Sequence, residues 1–137
     1  MKSALRERFD RLLEDAIEAL PERFRQALDE IQVIVEDAPG RELVKGLARD
    51  GVVESEEDDD LMGLHSGLPL VEGGMDESGR LPTQIHIFRE PIVEHAGGWD
   101  QDQADEEIYE EVRITLLHEI GHHFGLDEDD LERLGYA

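Results

Sequence analysis

His118-Glu119-Ile120-Gly121-His122-His123-Phe124-Gly125-Leu126-Asp127-Glu128 is the stretch that decides how this 137-residue chain is read. It contains HExxH, then a glycine at the eighth motif position and a carboxylate at the eleventh. On a helix, His118 and His122 project from one face, so both imidazoles reach one ion. Glu119 lies about 100° further round, beside the ion rather than on it, where a base for an attacking water belongs. Gly125 can take the left-handed backbone that ends a helix and turns the chain back, bringing a third ligand toward the same ion. Glu128 holds that place; Asp127 and Asp129 flank it by one residue of loop, and spacing and reach favour Glu128. His123 points about 100° away from His122 and is expected to pack or hydrogen-bond behind the site. The expected centre is one zinc ion per chain on His118, His122 and Glu128, with Glu119 as general base.

Composition has to be weighed against this reading, because the chain holds six histidines and 36 acidic residues. HExxH alone arises by chance in roughly a few per cent of such chains, and the glycine requirement lowers that about tenfold. An apolar-periodic segment before the motif and a glycine stop after it agree with the helical placement. There are no cysteines, so zinc ligands must be His or carboxylate and disulfides are excluded. The formal net charge of −23 repels phosphate backbones and anionic lipid headgroups, which argues against nucleic-acid and membrane roles. The same surface would attract basic peptides, or it simply keeps a small protein in solution. Met1 to Glu7 runs into charged helix with no apolar stretch of the signal-peptide kind, and no segment nears the roughly 20 apolar residues of a membrane span. A cytoplasmic protein of a single domain, residues 1–137, is expected.

Outward from the motif, Ile108, Val112, Leu116, Ile120 and Phe124 form the apolar stripe of the helix that carries it. Its first turns, from Asp100 through Asp102, Asp105, Glu106 and Glu107, are acidic, as the helix dipole favours. At the other end of the chain, Leu5, Phe9, Leu12, Leu13, Ala16, Ile17 and Leu20 mark an amphipathic helix, and Pro21 opens a shorter one bearing Phe24, Ala27 and Leu28. Ile31 to Glu36 reads as a strand closed by Asp37-Ala38-Pro39-Gly40. A short helix is expected over Arg41 to Asp50. Glu54 to Asp60 is acidic except for Ser55 and reads as a solvated, mobile run without the spacing of a calcium loop. Residues 61–80 read as a long glycine-rich loop. Thr83 to Arg89 is a second strand, with Pro91 halting regular pairing and marking its far end as an edge. Leu131 to Leu134 closes the chain as a short helix. The predicted class is α+β: a small two- or three-stranded sheet packed on a long metal-binding helix, with N-terminal and C-terminal helices.

In these segments the chain resembles a small bacterial family of zincin-like metallopeptidases, the minimal zincins. The resemblance rests first on His118-Glu119-Ile120-Gly121-His122-His123-Phe124-Gly125 followed by Glu128. It extends to Val35-Glu36-Asp37, to Leu61-Met62-Gly63-Leu64-His65-Ser66-Gly67-Leu68-Pro69-Leu70, to Leu81 through Arg89, and to Leu131 through Tyr136. It implies a pared-down relative of the metzincins with zinc on two histidines and an acidic third ligand. Two departures stand out: no methionine follows the motif, and His65 stands where the family often has tyrosine.

Two imidazoles, a carboxylate and an open position suit catalytic zinc, which lowers the pKa of a water toward ~7. Glu119 would take the proton of that water and pass it to the leaving nitrogen. The strand from Thr83 to Arg89 could hold an extended substrate by strand addition. No second stabiliser of the oxyanion is evident: Tyr136 is a candidate if the tail folds back over the metal, Tyr109 lies more than two helical turns before His118, and each is better read as an ordinary amphipathic surface residue. His65, His86 and His95 stand isolated, as loop or strand residues. The expected function is a zinc-dependent peptidase acting on a peptide or protein substrate, possibly a basic one. The competing readings are a non-catalytic zinc-binding acidic module that binds a basic partner and a zinc hydrolase of a small amide. Glu119 speaks for catalysis, since a purely structural site needs no base there.

Overall fold

The spacing of apolar residues in the first twenty positions becomes α1 (Ser3–Glu18), with Phe9, Leu13 and Ala16 buried. Pro21 precedes α2 (Glu22–Ala27), whose Ala27 is buried. The computed structural model describes residues 1–40, 61–66 and 83–136. Three of the segments read above lie outside these: the helix expected over 41–50, the acidic run 54–60 and most of the expected loop, 67–80.

Three strands follow: β1 (Gln32–Glu36), β2 (Gly63–Ser66) and β3 (Gln84–Phe88). They form one sheet in the order β1-β3-β2. β1 runs parallel to β3, pairing Val33 with Ile85 and Val35 with Ile87. β2 runs antiparallel to β3, pairing Gly63 with Ile87 and Leu64 with His86. Two expectations are corrected here. Residues 63–66 are a strand, not part of a loop, and β3 is the central strand, not an edge. Substrate addition along β3 is therefore ruled out, because both of its edges already carry ladder hydrogen bonds.

Pro91 does not end the sheet. It sits in the first turn of α3 (Arg89–Ala96), where a missing N–H costs nothing because first-turn donors have no intrahelical acceptor. After Gly97 and Gly98 the chain enters α4 (Ala104–His123), with Asp105, Glu106 and Glu107 in its first turn. Asp100 and Asp102 fall in the turn before it. α5 (Glu128–Leu134) closes the described chain.

α4 is the centre of the packing: α1, α2, α3, β2 and β3 all contact it. Its residues Ile108, Val112, Leu116 and Ile120 are wholly buried, as are Phe9, Ile85, Ile87 and Ile92 around it. Each such side chain contributes roughly 1.5–3 kcal/mol of burial. Phe124, the last member of the expected stripe, is only partly buried against this core.

A charged clamp holds α1 to the sheet and to α3. Arg89 grips Asp10 with two hydrogen bonds of 3.0 Å and reaches Asp37 at 3.0 Å. Arg6 binds Asp37 from α1, and the Met1 amino group lies 3.2 Å from the same carboxylate. The Arg6 guanidinium, with the Met1 amine and Arg89 adding to it, holds the Asp37 carboxyl well below the usual carboxylate range. Among the described residues, no helix is long and apolar enough to cross a membrane.

Candidate metal centre

The last turns of α4 carry both motif histidines, and the far side of those turns is buried at Leu116, Leu117 and Ile120. Burial of that side leaves His118 and His122 facing outward, 22% and 28% exposed. The helix stops at Phe124, and Gly125 takes φ 82°, a left-handed conformation disfavoured by any side chain. Leu126 N–H then donates back to the Gly121 carbonyl at 3.0 Å, closing the turn.

Asp127 caps the next helix. Its carboxylate accepts from Asp130 N–H at 2.8 Å, while the Asp130 carboxylate accepts from Asp127 N–H at 3.1 Å. This reciprocal box occupies Asp127 and makes Glu128 the first residue of α5. Of the three candidate carboxylates, the structure brings Glu128 to the histidines. Its Oε1 lies 3.3 Å from His118 Nε2 and 3.0 Å from His122 Nε2. One donor atom from each of the three residues lies within 4.8 Å of the others, and the group contains neither Asp127 nor Asp129.

These distances suit a metal. Tetrahedral zinc with bonds of ~2.0–2.1 Å places two ligand atoms about 3.3 Å apart. The hydrogen bonds behind the rings matter as much. His118 Nδ1 meets the Tyr136 carbonyl at 3.0 Å, and His122 Nδ1 meets the Leu126 carbonyl at 3.1 Å. A carbonyl only accepts, so each Nδ1 is the donor of its ring and each Nε2 is the nitrogen turned toward Glu128. Two Nε2 atoms and a carboxylate oxygen converging on one space make a donor set that fits a divalent ion.

Glu119 is buried at 8% exposure on the side of α4 that meets the sheet. A Cβ built on Gly63 of β2 would lie 3.2 Å from Glu119 Cγ, so the edge strand passes directly over this residue. His123 is buried behind the centre, 5.7 Å from the Phe124 ring, and burial pushes its pKa down against the opposing pull of Glu30. Tyr136 packs its ring edge-on against Phe24 at 5.8 Å and offers its backbone carbonyl to His118. Tyr109 is partly buried against the core. His86 faces Glu36 at 3.6 Å, and His95 pairs with Glu111 at 3.1 Å, so neither joins the group.

Sequence reasoning passed over three contributors. The carbonyls of Leu126 and Tyr136 orient the imidazoles but, being backbone, leave no mark in residue identity. Gly121 reads as a spacer in HExxH, yet a Cβ there would stand 2.5 Å from Leu131 Cδ2. A bare residue lets α5 lie against α4 and carries Glu128 with it. A glycine inside a helix, costing about 1 kcal/mol against alanine, was a signal that could have been read.

No curated protein matches the chain. A family profile described as zincin-like metallopeptidase matches residues 28–136, running from the end of α2 through the sheet, α4 and α5. The match takes in well over half of the chain and every residue of the centre, and on that ground the chain belongs to the family of zincin-like metallopeptidases.

Proposed function

We propose that the protein is a zinc-dependent peptidase in which His118, His122 and Glu128 hold the ion and Glu119 acts as general base. The observation that carries this reading is the convergence of two Nε2 atoms and one carboxylate oxygen, with both Nδ1 atoms engaged by backbone carbonyls. When bound, the zinc supplies Lewis acidity, making a water acidic and polarising the peptide carbonyl. Glu119 takes the proton from the attacking water and returns it to the leaving nitrogen. Its burial beneath β2 limits competing solvent and fixes its direction. Glu128 is 70% exposed, so the centre opens on the side where a peptide would approach.

The substrate lies along β2, whose outer edge has no partner strand among the described residues. An extended peptide there would gain backbone hydrogen bonds and pass within reach of Glu119. With a net charge of −23, the protein favours basic peptides or flexible basic segments, and not nucleic acid or anionic membranes.

The test pairs metal analysis with one isosteric variant. Wild type carries about one zinc per chain and His118→Ala carries none. Glu119→Gln keeps the zinc and cleaves a peptide library ~10²–10⁴-fold more slowly. Equal cleavage by Glu119→Gln would end the general-base assignment. A wild type that takes up no metal would end the peptidase reading and leave the acidic binding module in its place. Proline placed in turn at Leu64, His65 and Ser66 tests the β2 edge: unchanged KM at all three would exclude it.

A further inference from the structure

The two histidines are oriented by unlike means. His122 leans on the carbonyl of Leu126, inside its own helix-ending turn. His118 leans on the carbonyl of Tyr136, which arrives from beyond α5. That carbonyl is held from both sides. Within its own segment, Gly135 N–H bonds the Glu132 carbonyl at 3.1 Å and Tyr136 N–H bonds the Leu131 carbonyl at 2.8 Å. From outside, Phe24 of α2 meets the Tyr136 ring edge-on at 5.8 Å and the Phe124 ring edge-on at 5.3 Å. One aromatic side chain thus touches both the residue that ends α4 and the residue that orients His118. Arg23, its neighbour, sits 5.1 Å above the Phe124 ring and covers the same cluster.

We infer that Phe24 is a positioning residue of the metal centre: it fixes Tyr136 so that the backbone carbonyl keeps the His118 proton on Nδ1 and leaves Nε2 bare for the ion. α2 precedes the stretch that matches the family profile, so this prop comes from a part of the chain that the family likeness does not reach. Without Phe24 the Tyr136 carbonyl drifts, and the His118 ring loses the bond that selects its tautomer. Part of the population then carries its proton on Nε2, which zinc must displace. Losing an outer partner of this kind lowers metal affinity about 10- to 100-fold.

This inference rests on the zinc site proposed above, and the experiment separates the two. Zinc affinity is read by competition with a chromogenic chelator, well below the unfolding temperature, for wild type, Phe24→Ala and Val93→Ala. The last removes a smaller, buried apolar contact on α3, away from the centre. Nitrogen-15 spectra of the apoprotein report the His118 tautomer. Phe24→Ala is expected to weaken zinc binding about 10- to 100-fold and to mix the His118 tautomers, while Val93→Ala keeps wild-type affinity. If Phe24→Ala does not fold, Phe24→Leu keeps apolar bulk without the ring and weakens binding in the same direction. Wild-type affinity in the Phe24 variant, or an equal loss in Val93→Ala, would overturn the inference. Failure of wild type itself to bind zinc would instead overturn the site beneath it.

Discussion

Adding one methyl group at Gly121 sets two effects of known size against each other. Alanine in place of a mid-helix glycine stabilises a helix by about 0.8–1.0 kcal/mol. The new Cβ, however, would stand 2.5 Å from Leu131 Cδ2, where carbon atoms rest at about 3.5–4.0 Å. Leu131 is wholly buried, so it has no free space into which to rotate, and α5 must move by about 1 Å. Overpacking of this kind costs ~1–3 kcal/mol, and the net effect on the apoprotein is a loss of about 0–2 kcal/mol. In thermal unfolding of a chain of this size that is a fall of between zero and about 7 °C. The effect on metal binding is separate from this loss. Glu128 lies one turn before Leu131 on α5, and metal ligands tolerate only about 0.2 Å of displacement. Gly121→Ala should therefore lose at least ~10-fold in zinc affinity, while its apoprotein still unfolds cooperatively within about 7 °C of wild type. Gly121→Ala/Leu131→Val, which shortens the obstructing side chain, should recover part of the affinity. A Gly121→Ala protein that is more stable and binds zinc as wild type does would show that helix propensity prevails and that the Leu131 contact does not position Glu128.

The close approach at Gly63 can be probed in the same manner: a Cβ there meets Thr115 Cγ2 at 2.8 Å and Glu119 Cγ at 3.2 Å. Gly63→Ala should lower kcat for peptide cleavage about tenfold or more by shifting Glu119 against β2, and adding Thr115→Ser, which deletes Cγ2, should restore part of it; no recovery in the double variant would mean the Thr115 contact is not the cause. The depressed Asp37 carboxyl fixes the sign of an acid effect. Its contribution is fully present above the unfolded-state pKa of ~3.9 and is lost as the pH falls below that value. Asp37→Asn should therefore be less stable than wild type at pH 7 in urea titrations, with the gap closing below about pH 4; a gap independent of pH would remove the charge argument. Cleavage should also stop on chelation and return with added zinc, whereas activity that persists in excess chelator would exclude a metal-dependent reaction.

Local patterns in the sequence carried most of the helical architecture. The apolar stripes predicted α1 and α4, Pro21 marked the start of α2, and β-branched alternation located β1 and β3 within a residue or two. The errors share a cause. β2 is four residues long and begins with glycine, so nothing in its own composition favours a strand; it exists because β3 offers it a ladder from a distant part of the chain. Pro91 was read as the end of a strand when it opens a helix, since the same fixed φ suits both settings. The position of β3 in the middle of the sheet follows from pairing order, which residue pattern does not encode. In the centre, spacing alone pointed to His118, His122 and Glu128 as a group. Among Glu128 and its neighbours, the Asp127–Asp130 capping box engages Asp127, and Glu128 is the carboxylate that lies beside the two histidines.

The donor group is compact along the chain as well as in space. His118 and Glu128 are separated by only the end of α4 and one tight turn. Cross-linking so short a stretch removes little freedom from the unfolded chain, about 2 kcal/mol for a loop of roughly ten residues. An ion held there ties no distant segments together, so its stabilisation stays at the corner between the two helices. The sheet, α1 and α3 rest on their own apolar core and on the Arg89 clamp. Withdrawing the ion should thus leave the amides of β3 protected from solvent exchange and speed exchange from Phe124 to Tyr136 alone. A metal bound at that place would govern whether one corner is closed and would leave the rest of the fold to its own core.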